Sequence, residues 1–212
     1  MHLLAVSKTC PGVSVREAFA AGQRDFGENY VQEALAKIVD LADLRPDVAD
    51  PIRWHLIGPL QSNKAREVAA NFDWVHSVDR MKLAQRLSDL RPPTLAPLQV
   101  CLQVNISGED SKSGVAPEAT LALAREVAGL PGLKLRGLMA IPEPAADLAA
   151  QRAPHRALRK LLEALNAEGL DLDTLSIGMS ADLEAAVAEG ATWVRVGTAI
   201  FGSRPTKSVP TS

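Results

Sequence analysis

The 212-residue chain has almost no surplus charge: 23 Lys and Arg stand against 25 Asp and Glu, a net of −2. A nucleic-acid groove and a polybasic membrane anchor both need an excess of Lys and Arg, so the balance argues against each. Cysteine is scarce as well. Cys10 and Cys101 are the two in the chain, too few for a disulfide framework or a metal-binding cluster. No apolar run approaches the ~20 residues of a membrane helix. No charged-then-apolar leader opens the sequence. Apolar residues make up 47 % of the chain, enough for a sizeable core and too many for a disordered chain. At roughly 150 residues per domain, the expectation is one soluble, cytoplasmic domain.

What the chain does have is a regular alternation of short apolar runs and helical stretches. The runs are residues 3–7, a weaker 24–28, 53–58, 74–78, 98–105, 135–140, 174–178 and 193–197. Helical periodicity occupies 14–22, 65–71, 80–90, 117–130, 152–168 and 181–189, with a short helix after the last run. Asp79 suits the N-cap of 80–90, and Pro117 the first turn of its helix. Glycines stand at the ends of three helices: Gly22, Gly169 and Gly190. About eight strands with helices between them imply parallel pairing through right-handed crossovers. An open doubly wound sheet and a closed α/β barrel of the (β/α)8 TIM type both fit; the count of eight favours the barrel.

In a barrel of this type the chemistry lies at the carboxyl ends of the strands. Lys8 ends the first run. It is either a lysine leaving the sheet for solvent or a desolvated amine able to attack an aldehyde. The last two runs end in Gly178-Met179-Ser180 and Gly197-Thr198, where glycine admits backbone N–H groups and two hydroxyls add donors. Phosphate sites in this fold are often built from those two loops, with helix N-termini favouring the negative charge. Strand alternation puts Arg195 on the same face as Gly197 and deeper in the barrel. There it is either paired with an acidic neighbour or facing a ligand. Asn29 reads as a mouth residue or as part of a capped turn. His55 and His76 lie within strands, where a lone histidine is more often a satisfied core residue than a ligand. The polar loop from Ser107 to Gly114 is either a lid or ordinary solvated chain.

The segments LLAVSKT, GQRDFGENYVQEAL, WHLIGPLQSNK, FDWVHSVDR, QVNISGEDSKSG, LRGLMAIPEP, LSIGMSADLEAA and ATWVRVGTAIFG together resemble the pyridoxal phosphate homeostasis proteins. That family is similar in fold to the N-terminal barrel of alanine racemase. The likeness runs from Leu3 to about Arg204. It implies a pyridoxal phosphate-binding barrel over 1–204 and a flexible tail over 205–212. It differs in one respect: family members carry a helix ahead of the first strand, and this chain opens directly at LLAVSKT. By the resemblance, Lys8 holds pyridoxal 5′-phosphate as an internal aldimine. Ser180, Gly197 and Thr198 bind its phosphate, Arg195 faces the pyridine nitrogen, and Asn29 lies near the cofactor.

The resemblance implies a non-catalytic carrier that buffers the cofactor and has apo-enzymes as recipients. The competing reading is an amino-acid racemase. A further one is a barrel enzyme that forms a Schiff base between Lys8 and a small phosphorylated substrate. An arginine at the pyridine nitrogen keeps that nitrogen unprotonated and the ring a poor electron sink. A two-base racemase also needs a tyrosine from a second domain, and Tyr30 is the one tyrosine here. Both points favour the carrier.

Overall fold

The computed structural model describes residues 1–45, 49–108 and 113–202. The expected tail, 205–212, and the centre of the 107–114 loop lie outside the described residues. Eight parallel strands close into one barrel in sequence order. They are β1 (His2–Val6), β2 (Asp25–Glu28), β3 (Arg53–Leu56), β4 (Trp74–Val78), β5 (Leu98–Gln103), β6 (Leu133–Met139), β7 (Thr174–Ser176) and β8 (Trp193–Val196). Closure comes from β1 pairing with β8, with His2 opposite Trp193 and Ala5 opposite Val196.

Helices fill the crossovers: α1 (Gly12–Ala20), α2 (Val31–Asp40), α3 (Ala65–Asn71), α4 (Met81–Leu90), α5 (Thr120–Ala128), α6 (Leu148–Ala167), α7 (Leu183–Ala188) and α8 (Thr198–Phe201). Among the described residues no helix is long and apolar enough to cross a membrane. Side-chain alternation along the strands divides the core in two. Phe26, Trp54, Leu56, Val75 and Val194 point outward and pack under the helices. Leu4, Val6, Ile57, Trp74, Cys101, Met139 and Trp193 fill the barrel itself.

Four local expectations change. Helix α2 stands where no helix was expected, directly after the Gly27–Tyr30 segment; Val31, Ala34 and Ile38 form its buried stripe. Asp79 is not the cap of α4: its carboxylate takes a hydrogen bond from the Arg80 guanidinium, and Arg80 occupies the cap position in extended backbone. Helix α6 begins four residues early, at Leu148, because the Asp147 carboxylate accepts from the Ala150 N–H. Pro117 falls in a 3₁₀ turn, Pro117–Ala119, that leads into α5.

Candidate functional site

Lys8, Asn29, Ser180, Arg195, Gly197 and Thr198, the residues singled out above, all line one cavity of about 300 Å³ at the carboxyl end of the barrel. That volume is near the lower end for small-molecule sites, ~300–1,000 Å³, and suits one small ring compound. Val6, Ile57, Ile141 and Met179 supply its apolar wall. Two larger hollows contain none of the six. One, of about 590 Å³, lies between α1 and α8; the other, of about 440 Å³, opens at the amino end of the barrel. In this fold the strand carboxyl ends carry the chemistry, so convergence there outweighs size elsewhere.

Lys8 follows Leu4 and Val6 on the inward side of β1 and is half-buried. Its turn is braced on both sides. The Ser7 hydroxyl donates to Glu28 Oε1 at 2.6 Å, and Lys37 Nζ donates to the Ser7 carbonyl at 2.6 Å. The same ammonium donates to Glu28 and to Glu33, each at 2.7 Å. Glu33 in turn accepts from the Thr9 N–H. Thr9 needs this support, because its φ of +64° is left-handed and unfavourable for a residue with a branched Cβ. Burial pushes the Glu28 carboxyl above its ordinary value, against the pull of Lys37 and Ser7. This clamp was not foreseen. Its one sequence signal is the Glu33–Lys37 pair at i, i+4, which becomes readable only once α2 is recognised as a helix.

Asn29 follows β2, and its Oδ1 is buried with no hydrogen-bond partner among the described residues. Gly58 lets the end of β3 pass close by: a Cβ there would lie 2.3 Å from the Asn29 carbonyl oxygen. Opposite, Gly178 has a φ of +89°, and a Cβ there would lie 2.5 Å from Ala186 Cβ. Only glycine turns β7 into the loop carrying Ser180. Ser180 and Thr198 are both exposed at the mouth. Helix α8 has just four residues, so little of a helix dipole is available; the anion-binding capacity here rests on the two hydroxyls.

Arg195 is 4 % exposed. Its Nη1 donates to Ser176 O at 2.5 Å and to Ser176 Oγ at 3.0 Å; its Nη2 donates to Ala140 O at 2.9 Å. The partners are oxygen atoms of the barrel wall and not a carboxylate. Burial brings the guanidinium down to about 10, opposed by the attraction of Asp182. His55 and His76, both fully buried, are satisfied inside the barrel.

Residues 1–205 match the family described as the N-terminal domain of alanine racemase. The chain is 66 % identical over 202 residues to the pyridoxal phosphate homeostasis protein of Pseudomonas aeruginosa, covering 95 % of this chain and 84 % of that one. The protein of that name from Escherichia coli K12 is 52 % identical over 202 residues, with 95 % and 85 % covered. Among solved structures, PipY of Synechococcus elongatus with pyridoxal phosphate bound superimposes with a TM-score of 0.84 at 44 % identity, covering 95 % and 92 %. An alanine racemase of Clostridium difficile shares the fold at a TM-score of 0.74 but is 13 % identical, and the match covers 99 % of this chain and 54 % of that one. From this barrel, these mouth residues and these relatives, the chain belongs to the alanine racemase N-terminal domain family and, within it, to the pyridoxal phosphate homeostasis proteins.

Proposed function

We propose that this protein binds pyridoxal 5′-phosphate at the carboxyl end of its barrel and acts as a carrier and buffer of the cofactor. The observation that carries the reading is the convergence of an amine, two hydroxyls and a buried guanidinium on one cavity of about 300 Å³. The residues fit the group: Gly197 keeps the floor low, since a Cβ there would lie 3.2 Å from the Val6 carbonyl oxygen, and the Ser180 and Thr198 hydroxyls on the same cavity are donors for a phosphate.

When bound, pyridoxal phosphate supplies an aldehyde that condenses reversibly with amines. Lys8 is the amine on this cavity, and the clamp behind its turn fixes where it points. Ser180 and Thr198 would hold the phosphate, with the backbone of Gly197 alongside. Arg195 would hold the ring nitrogen. A guanidinium has donors and no acceptor, so it favours the unprotonated ring and weakens electron withdrawal. The chain's one tyrosine, Tyr30, is 59 % exposed and does not line the cavity, so the second proton carrier of a racemase is not at hand. These features support a carrier over an enzyme. Apo-enzymes that use the cofactor are its recipients in this reading, and the cytoplasm its location.

The test is borohydride reduction of the loaded protein followed by peptide mapping. The cofactor mass is expected on Lys8. A label on Lys64 or Lys112 instead would overturn the assignment. Transfer of the cofactor from the loaded protein to an apo-enzyme, read by recovered activity of that enzyme, tests the carrier role.

A further inference from the structure

Six hydrogen-bonded side chains join the two ends of the barrel interior. At the amino end, Arg53 donates to both carboxylate oxygens of Asp25, at 2.7 and 2.9 Å. His55 Nε2 lies 3.0 Å from Asp25 Oδ1, and His55 Nδ1 lies 3.0 Å from His76 Nε2. His76 Nδ1 lies 2.8 Å from the Ser176 hydroxyl, which receives Arg195 Nη1 at 3.0 Å. The two histidines, Ser176 and Arg195 come from four strands, and none of them is more than 4 % exposed.

The protons in this chain can be placed. Burial pushes the Asp25 carboxyl up, but the bonds from Arg53 and His55 overcome it and hold it well below the carboxylate range, so it is ionised and can only accept. His55 Nε2 must therefore carry a proton. Burial lowers His55, and it lowers His76 further, so both rings are neutral and each has one donor and one acceptor nitrogen. His55 Nδ1 then accepts from His76 Nε2–H, and His76 Nδ1 accepts from the Ser176 hydroxyl. The other end fits the same order: the Ser176 oxygen has two lone pairs, so it receives Arg195 and still gives its own proton to His76 Nδ1. Every bond runs one way, from Arg195 to Asp25.

We propose that Asp25, His55, His76 and Ser176 are positioning residues that seat Arg195 for the ring of the bound cofactor, an inference that rests on the cofactor reading above. The chain fixes the Ser176 hydroxyl rotor, and with it one of the three wall contacts of the guanidinium. Nη1 and Nη2 are thereby engaged at the wall while the residue also lines the cavity. Asp182 attracts Arg195 and supports its positive charge; what Asp25 sets is the direction of the chain. Trp74 stacks on His55 with ring centroids 5.4 Å apart and planes within 6°.

The experiment is ¹⁵N NMR of the full chain with labelled histidine and arginine, first without cofactor. Both histidines are expected as neutral rings protonated on Nε2. Asp25→Leu removes the acceptor at the far end, and His76, two bonds away, is expected to change tautomer or become a mixture. A wild-type His76 protonated on Nδ1, or one indifferent to Asp25→Leu, would overturn the chain. The second measurement uses pyridoxal phosphate labelled at the ring nitrogen. Ser176→Ala and His76→Gln are expected to shift both the Arg195 side-chain signals and the ring-nitrogen signal, with Ser176→Thr restoring them. If Ser176→Ala leaves both signals in place, the chain is core packing and the positioning role is wrong. Failure of the wild type to take up cofactor would strike the cofactor reading instead, and the cofactor-free tautomers and Arg195 signals would still decide the chain.

Discussion

The Lys37 ammonium lies 2.7 Å from the Glu28 carboxylate, and both are sealed from solvent behind the turn that carries Lys8. The pair belongs to the outer shell of the barrel, between β2 and α2, yet its hydrogen bonds reach the two neighbours of Lys8, Ser7 directly and Thr9 through Glu33. Removing one partner of a buried pair strands the other charge, at a cost of about 3–5 kcal/mol. Lys37→Met is therefore expected to destabilise the fold by about that amount in urea unfolding and to slow covalent capture of the cofactor by Lys8. Adding Glu28→Gln to Lys37→Met should recover part of the stability. A cost below about 1 kcal/mol for Lys37→Met would show that the ion pair does not brace the turn.

Ser180 and Thr198 make a separable prediction. A hydrogen bond to a charged group is worth about 1.5–3 kcal/mol, roughly ten- to a hundredfold in affinity. Replacing both residues by alanine is expected to weaken pyridoxal phosphate binding by at least that factor and to leave pyridoxal binding nearly unchanged. Both side chains are exposed, so the fold should not suffer. Equal loss of the two ligands would assign the residues to folding and not to phosphate.

Much of this site was legible before the fold was known, for one reason: strand alternation is local. Lys8 shares the inward side with Leu4 and Val6, and Arg195 shares a side with Gly197, whichever strands stand next to them. Most of the strands were legible because both faces are covered, which leaves apolar runs; β2 is the weak one, with Phe26 as its one large apolar residue. Contacts that depend on closure were not. His76 meets Ser176 across 100 residues of sequence, and nothing near either residue announces the other. His55 and His76 were each readable as satisfied core histidines, but not as members of one chain. The clamp behind Lys8 was hidden for a different reason. The segment 31–40 has a clear helical stripe, yet it begins without a capping side chain: Tyr30 stands at the N-cap and makes no side-chain cap bond.

The buried histidines give the protein a particular acid response. Burial holds His55 and His76 below their ordinary value of 6.5, so the unfolded chain binds more protons than the folded one once pH falls past 6.5. Stability is then fully present above 6.5 and is lost as pH falls toward the folded values, by about 1.4 kcal/mol per pH unit for each histidine. Asp25 adds a loss of the same sign only lower, below its ordinary value of 3.8. Glu28 runs the other way: burial raises it, so its contribution is present below 4.5 and fades as pH rises through its folded value. Comparing the wild type with His76→Gln cancels the Glu28 contribution. Urea midpoints measured from about pH 7 down to about pH 5 should fall less steeply for His76→Gln, by close to one proton's worth. Parallel slopes would mean that His76 is not held neutral in the fold.

The last expectation concerns chemistry the loaded protein should not perform. Arg195 offers donors and no acceptor at the depth of the cavity, and burial lowers it no further than about 10, so it remains cationic at neutral pH. A cation there opposes protonation of the ring nitrogen, and without that protonation the ring withdraws electrons poorly from a substrate carbon. Racemisation needs, in addition, a proton carrier on each face of that carbon. Lys8 can serve one face, while Tyr30 stands exposed at the start of α2 and outside the cavity lining. The two defects are independent, one electronic and one geometric, and together they leave a barrel suited to sheltering a reactive aldehyde. Solvent deuterium should therefore not enter the α-carbon of L-alanine or other amino acids when they are incubated with loaded protein and followed by NMR. Exchange at the ~1–10³ s⁻¹ usual for enzymes would refute the carrier reading. Arg195→Glu gives the converse control. An acidic residue at that position favours a protonated ring, so slow exchange is expected to appear in that variant before it appears in the wild type.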